Sequence, residues 1–321
     1  MRNLMNAAVL HRFGGPEEFR IEKVPIPEIA ANEVLIKLEY SAVSTWEVFE
    51  RQGGYAEMLG LEPNFPYILG SEGAGTVAAI GSEVNRFKVG DSVYTACFLN
   101  PKGGTYAEYV AVNTQYVSLI PEAISVREAG VLLGVGLTAL RGLEDVLQLQ
   151  RNESILIFGA SGGIGHVAVQ LAKEMGAEVI AVASGEDGVA LVKQLGIENV
   201  VDGHRENALQ QIKSMVPNGF DAALLTAGGD LALDLMGLVR KGGRLAWPNG
   251  VELDNGNLKD VKIVEYNGEP EAEIIARLNN YIQTYSVTVY IAKSFSLEEV
   301  RAAHQTLETH YSGKIILCID E

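Results

Sequence analysis

Residues 155–176 read Ile155-Leu156-Ile157-Phe158-Gly159-Ala160-Ser161-Gly162-Gly163-Ile164-Gly165-His166-Val167-Ala168-Val169-Gln170-Leu171-Ala172-Lys173-Glu174-Met175-Gly176. Four apolar residues in a row suit a strand covered on both faces. Ile164, Val167, Ala168, Leu171, Ala172 and Met175 then recur at helical spacing and form one apolar face. Gly176 closes the helix, where a left-handed cap needs no Cβ. Between strand and helix lies a glycine cluster. On a G-x-G-x-x-G frame, positions 160, 162 and 165 are Ala, Gly and Gly. Such a turn lets the backbone approach a pyrophosphate, and the helix start offers free N–H groups and a positive dipole end. Ala160, Ser161, Gly162, Gly163 and Ile164 are therefore candidate dinucleotide contacts. No Gly-Lys-Ser/Thr follows, which excludes a Walker A loop.

The unit repeats downstream. Val179–Ala183 reads as a second strand and Val189–Leu195 as a helix. Val200-Val201 is a short third strand, followed by a helix around Ala208–Met215. Ala222–Leu225 and Leu245–Trp247 are further strands. This alternation predicts a doubly wound parallel sheet, the Rossmann arrangement. Upstream, residues 1 to about 120 read as short β runs punctuated by Gly and Pro, such as Glu33–Leu38 and Ser92–Thr95. The expected fold class is therefore α/β, a β-rich unit followed by a Rossmann unit.

The end of the second strand sets cofactor choice. A carboxylate there would bind the ribose 2′-hydroxyl of NAD. The chain has Ala183-Ser184 instead. Ser184 can donate to a 2′-phosphate, and Arg205 follows the next strand. NADPH is the expected cofactor. NADH is the alternative if Glu186 or Asp187 faces the ribose; in the competing reading both acids serve the first turn of the next helix.

Composition narrows the class. The chain has 321 residues, 47% hydrophobic and 21% charged, and a formal net charge of −16, which describes a folded, strongly acidic protein. Acidity argues against unaided nucleic-acid or anionic-membrane binding. The N-terminus is too polar for a signal peptide, and the longest uncharged apolar run, Ala129–Leu140, is too short to cross a bilayer. Cys97 and Cys318 form no CxxC pair, so a cysteine-rich zinc lobe is excluded. Buried, reduced thiols in a cytoplasmic protein are expected.

Further segments carry a family likeness. They include Phe13-Gly14-Gly15-Pro16-Glu17, Gly70-Ser71-Glu72-Gly73-Ala74-Gly75-Thr76-Val77, Val89-Gly90-Asp91-Ser92-Val93, Gly104-Thr105-Tyr106-Ala107-Glu108-Tyr109, Gly136-Leu137-Thr138-Ala139 and Gly242-Gly243-Arg244. Phe295–Val300, Ala303-His304 and Ser312-Gly313-Lys314 complete the set. With the glycine loop and in this order, they resemble the zinc-independent quinone oxidoreductase (zeta-crystallin-like) group of the medium-chain dehydrogenase/reductase superfamily. The resemblance implies a GroES-like domain at 1–124 and 285–321 and an NAD(P)-binding Rossmann domain at 125–284. It implies NADPH, no zinc, a small quinone or α,β-unsaturated carbonyl as substrate, and a homodimer or homotetramer.

The resemblance also distributes roles. Zinc-dependent relatives carry a cysteine and a histidine where this chain resembles them at Ser44 and Ser71. Ser44, Trp46 and Phe49 fall in the implied substrate pocket. Ser44 stands in place of the group's asparagine, and Phe49 in place of its tyrosine, so a phenol is lost. Glu47 matches the group's acid and is expected to be structural. Thr138 is placed near the nicotinamide. Ala227 and Gly228 follow the fourth strand, Asn249 follows the fifth, and Tyr266 is expected to line the nicotinamide pocket. Val251–Ile263 is short for the group. No acid–base pair stands out, because conjugated acceptors take a hydride without a strong Lewis acid. The alternative is a cofactor-binding sensor or crystallin-like protein with little turnover.

Overall fold

The structure is a computed structural model that describes residues 4–254 and 258–320. It divides into two compact units. The first comprises Met1–Gly134, Pro270–Gln283 and Ile291–Glu321, and the second comprises Val135–Glu269 and Thr284–Tyr290.

The second unit is built on six parallel strands, Ser154–Phe158, Glu178–Ala183, Asn199–Asp202, Phe220–Leu225, Val239–Pro248 and Lys262–Tyr266. Counted in chain order, they lie across the sheet as third, second, first, fourth, fifth, sixth. This is the dinucleotide-binding order, and its topological switch point lies between Ser154–Phe158 and Phe220–Leu225. There Phe158 and Leu225 are register partners. Leu156, Ile180, Val182, Val201, Phe220, Leu225 and Trp247 are buried in one cluster with Ile212 and Leu235 of the covering helices. The second helix begins at Gly185, earlier than the apolar pattern suggests. The additional turn holds Glu186 and Asp187, acids that favour a helix start.

The first unit is β-rich. Its larger sheet is centred on the strand Glu33–Val43, and its smaller one on Leu4–Leu10. The chain end returns to it. Strand Lys314–Cys318 pairs antiparallel with Glu33–Val43, as Ile315 with Val43 and Cys318 with Tyr40. Its Ile315 and Leu317 are fully buried beside Leu10, Ile36, Leu38 and Val77. The structure thus has the GroES-like and Rossmann architecture of the expected fold class.

Helix 126–140 begins in the first unit, and most of helix 272–285 also belongs there, whereas boundaries at 124 and 285 assign both to the other unit. Local bonds account for this. The Gly134 amide donates to Glu72 at 3.0 Å, and Asn279 meets both Tyr94 and Ser118. Two short helices, Thr45–Arg51 and Gly54–Leu59, interrupt the β region. The β-run reading of residues 1–120 contains neither.

Candidate functional site

The glycine loop is shaped by its own sequence. Gly159 has φ +77°, and a Cβ there would meet Thr226 Oγ1 at 2.5 Å. At Gly165 a Cβ would lie 2.0 Å from the Gly159 carbonyl oxygen, so this glycine lets the helix pack on the turn. Gly162 differs. A Cβ there would meet only the Gly159 oxygen, at 3.3 Å, with open space beyond. That is the side a pyrophosphate needs, at the head of helix 165–174. Ala160 and Ser161 are buried; the Ala160 amide donates to Val182, and Ser161 Oγ accepts from the Ser184 amide at 3.2 Å. Gly163 and Ile164 lie half-buried between Gly162 and the helix. The residues present fit a dinucleotide.

At the neighbouring strand end, Ser184 Oγ and His204 Nε2 are 3.1 Å apart. Asp202 is engaged elsewhere. Its Oδ1 accepts from the amides of Gly185 and His204, at 3.1 and 3.0 Å. Those backbone donors hold its carboxyl below the usual range, the His204 amide first. Arg205 is exposed and lies 3.8 Å from Asp202 and 3.9 Å from Glu186. Three donor groups, Ser184, His204 and Arg205, thus gather here. His204 is the one that pattern reading missed. Its position just after a short third strand was the available signal.

The remaining candidates of this unit lie along the carboxyl ends of the strands. Thr226 Oγ1 donates to the Phe158 carbonyl at 2.8 Å and so fixes the loop that carries Ala227 and Gly228. The Asn249 amide donates to the Tyr266 carbonyl at 2.8 Å, and its side chain meets Asn267. Tyr266 is buried and donates its hydroxyl to the Thr138 carbonyl at 2.9 Å. Gly268 must be small, because a Cβ there would lie 2.0 Å from Thr138 Oγ1. Of the stretch Val251–Ile263, residues 255–257 lie outside the described residues.

In the first unit, Ser44 caps helix 45–51. Glu47 Oε2 accepts from the Ser44 hydroxyl at 2.5 Å and from its amide at 3.0 Å, a reciprocal capping box. Glu47 Oε1 also accepts from the Ser71 amide at 3.3 Å. Trp46 packs on Tyr55 with ring centroids 4.2 Å apart and meets Phe98 edge-on at 5.2 Å. Phe49 is 43% exposed and touches Tyr55 edge-on at 4.6 Å. Tyr55 thus joins Trp46 to Phe49, a role that the sequence spacing did not reveal. Two further features were not legible. Glu50 is buried and accepts from the Tyr67 hydroxyl at 2.6 Å. His304 is fully buried between Arg51, at 3.0 Å, and Tyr106, at 3.2 Å.

Known proteins share this plan. The family described as Alcohol dehydrogenase GroES-like domain matches residues 30–122, and that described as Zinc-binding dehydrogenase matches residues 163–249. A quinone oxidoreductase of Rattus norvegicus is 31% identical over 98% of this chain and 97% of its own length. One of Homo sapiens is 30% identical over 99% of each. The quinone oxidoreductase structure from Coxiella burnetii superposes with TM-score 0.88 at 27% identity, covering 99% of this chain and 100% of its own. The chain belongs to the medium-chain dehydrogenase/reductase superfamily, in its quinone oxidoreductase group.

In this medium-chain oxidoreductase, Ser44 and Ser71 stand where the resemblance implies the metal ligands of zinc-dependent relatives. The Ser44 hydroxyl is used in the helix cap, and Ser71 Oγ is buried without a hydrogen-bond partner among the described residues. Among those residues, no group of three or more His, Cys, Asp and Glu side chains is placed to hold a metal ion. Cys97 and Cys318 are buried thiols, and burial pushes the Cys97 thiol up to about 12. No helix of the described residues is long and apolar enough to cross a membrane.

Proposed function

We propose that this oxidoreductase is a zinc-independent, NADPH-dependent reductase of quinones or α,β-unsaturated carbonyls. The observation that carries the reading is the open space at Gly162 beside a strand end with no free acid. Ala160–Ile164 would hold the pyrophosphate on backbone N–H groups. Ser184, His204 and Arg205 would hold the 2′-phosphate, since Asp202 is committed to two amides. Thr138, Ala227, Gly228, Asn249 and Tyr266 would frame the nicotinamide end.

When bound, the nicotinamide supplies a hydride. Trp46, Phe49 and Tyr55 offer an aromatic surface suited to a flat conjugated acceptor, and Ser44 shapes it by capping the helix that carries the first two. The same reading takes the protein as a cytoplasmic homodimer or homotetramer. The quinone oxidoreductases of similar length support the substrate class.

The test follows reduced-cofactor absorbance with chelator-treated protein. NADPH and NADH are each paired with a benzoquinone and with a short enone. The expected result is NADPH oxidation that survives chelation. Tight NADPH binding with no acceptor consumed would replace the reductase reading with a cofactor-sensing one. Arg205→Glu is expected to weaken NADPH by about tenfold or more and to leave NADH nearly unchanged, in keeping with charge-assisted phosphate contacts. Equal loss for both cofactors would remove the 2′-phosphate assignment.

A further inference from the structure

Helix 54–59 carries an apolar face that packing leaves open. Tyr55, Met58 and Leu59 stand at positions i, i+3 and i+4, so they share one side of the helix. Tyr55 is buried, whereas Met58 is 63% exposed and Leu59 51%. The helix stops at Gly60, in the left-handed conformation at φ +64°, and the Leu61 amide turns back to donate to the Ala56 carbonyl at 2.8 Å. Leu61 is 50% exposed. Three exposed apolar side chains thus fall within one turn of chain. Elsewhere among the described residues, exposed large apolar side chains stand singly along the sequence. Single ones are ordinary on a folded surface, and a grouped set marks a place of binding.

The patch continues the aromatic surface of the same unit. Tyr55 bridges Trp46 and Phe49, with ring centroids 4.2 and 4.6 Å away. Phe49 is exposed and yet held. Its ring lies over Gly54, where a Cβ would come within 2.3 Å of it, so the glycine lets the ring rest on the helix start. The ladder Trp46, Tyr55, Phe49 therefore leads onto the helix whose Tyr55 face carries Met58 and Leu59.

Charge says what kind of molecule fits. From Gln52 to Asn85 the chain has no Lys, Arg or His. The charged side chains next to the patch in sequence are Glu57 and Glu62, both exposed. The preceding cation, Arg51, is buried on the Gly14 carbonyl and His304. Such a surface repels phosphates and carboxylates, which disfavours a nucleotide-bearing thioester or an acidic lipid headgroup. A symmetric pair of copies would set the same patch against itself and bring these acids together. A neutral apolar chain meets neither obstacle.

We propose that the acceptor of this oxidoreductase is a quinone bearing a neutral alkyl or prenyl chain, its ring on Trp46, Tyr55 and Phe49 and its chain along Met58, Leu59 and Leu61. This deepens the reductase reading and rests on it. The gain comes from methylenes leaving water, and an unbranched thioether such as Met58 adapts to chains of different length and branching.

The test measures kcat/KM with NADPH for a benzoquinone without substituent and for its propyl and hexyl derivatives. Wild type is compared with the double variant Met58→Glu/Leu59→Glu. In wild type, kcat/KM is expected to rise with chain length, by about tenfold or more from the unsubstituted to the hexyl quinone, chiefly through KM. The propyl and hexyl compounds differ in chain length alone, so their ratio is free of changes in ring chemistry. The double variant is expected to lose the rise while still turning over the unsubstituted quinone. Leu61→Glu, outside the helix, is expected to weaken the rise independently, and Met58→Leu, which stays apolar, to retain it. No rise in wild type, or an equal rise in wild type and both Glu variants, would overturn the chain assignment and leave the reductase reading standing. A double variant that changes oligomeric state and keeps the rise would make the patch an interface between copies, and would overturn the assignment too. No quinone consumed by wild type would overturn the reductase reading and, with it, this substrate class.

Discussion

Gly162 shows how one missing Cβ carries function. Its backbone needs no left-handed conformation, and a Cβ would have a single neighbour. Gly162→Val is therefore expected to fold with a melting temperature near wild type and to lose NADPH binding, read by fluorescence titration. Unchanged affinity would remove the loop from the site. Two buried titratable residues set opposite pH limits on stability. His304 is held neutral, first by burial and then by the charge of Arg51, which lower it from 6.5 to about 3. The unfolded chain takes up this proton first, so the His304 contribution is complete above about pH 6.5 and is lost as pH falls toward about 3. Glu50 runs the other way. Its folded value of about 7 lies above its ordinary 4.5, so its contribution is complete below about 4.5 and is lost as pH rises through about 7. Each group changes stability by at most about 1.4 kcal/mol per pH unit inside its window. Chemical denaturation across pH should give a dome, and Glu50→Gln should flatten its alkaline side only.

At the scale of the element, helix 45–51 is held by its first turn. The Ser44–Glu47 capping box satisfies the helix start, and the second Glu47 oxygen ties it to Ser71. Ser44→Ala is expected to cost about 1 kcal/mol of stability, seen in the denaturant midpoint, with NADPH affinity unchanged. A loss of NADPH affinity would show that Ser44 does more than cap. This element was half legible. Ser44-Thr45-Trp46-Glu47 has the spacing of a capping box, yet the strand texture around it masked a helix of only seven residues. Helix 165–174 was fully legible, because its apolar face repeats over three turns and glycines flank it. Helix 185–194 was found late by one turn, because its first residues, Gly185-Glu186-Asp187, are chosen for the helix end and carry no apolar signal.

At the scale of the whole molecule, the chain end decides the first unit. Strand Lys314–Cys318 lies between Ile291–Ser296 and Glu33–Val43, with every residue buried. Ending the chain after Gly313 would remove an interior strand and strip Val43 and Tyr40 of their partners. Limited proteolysis of that truncation should digest the first unit readily and leave a fragment of the second; equal resistance in both would contradict this. The sequence by itself determined the Rossmann unit, its glycine loop and the missing acid at Ser184, because strand alternation, helical period and glycine placement are local signals. Only the tertiary structure decided that Asp202 is spent on backbone amides, that His204 stands beside Ser184, and that Arg51, His304 and Tyr106 form one buried group. It also decided that one Glu50 oxygen lies without a partner among the described residues while both oxygens of Glu47, three residues away, are bonded. Those outcomes depend on which distant donors burial brings to a side chain, and no spacing along a single chain encodes that.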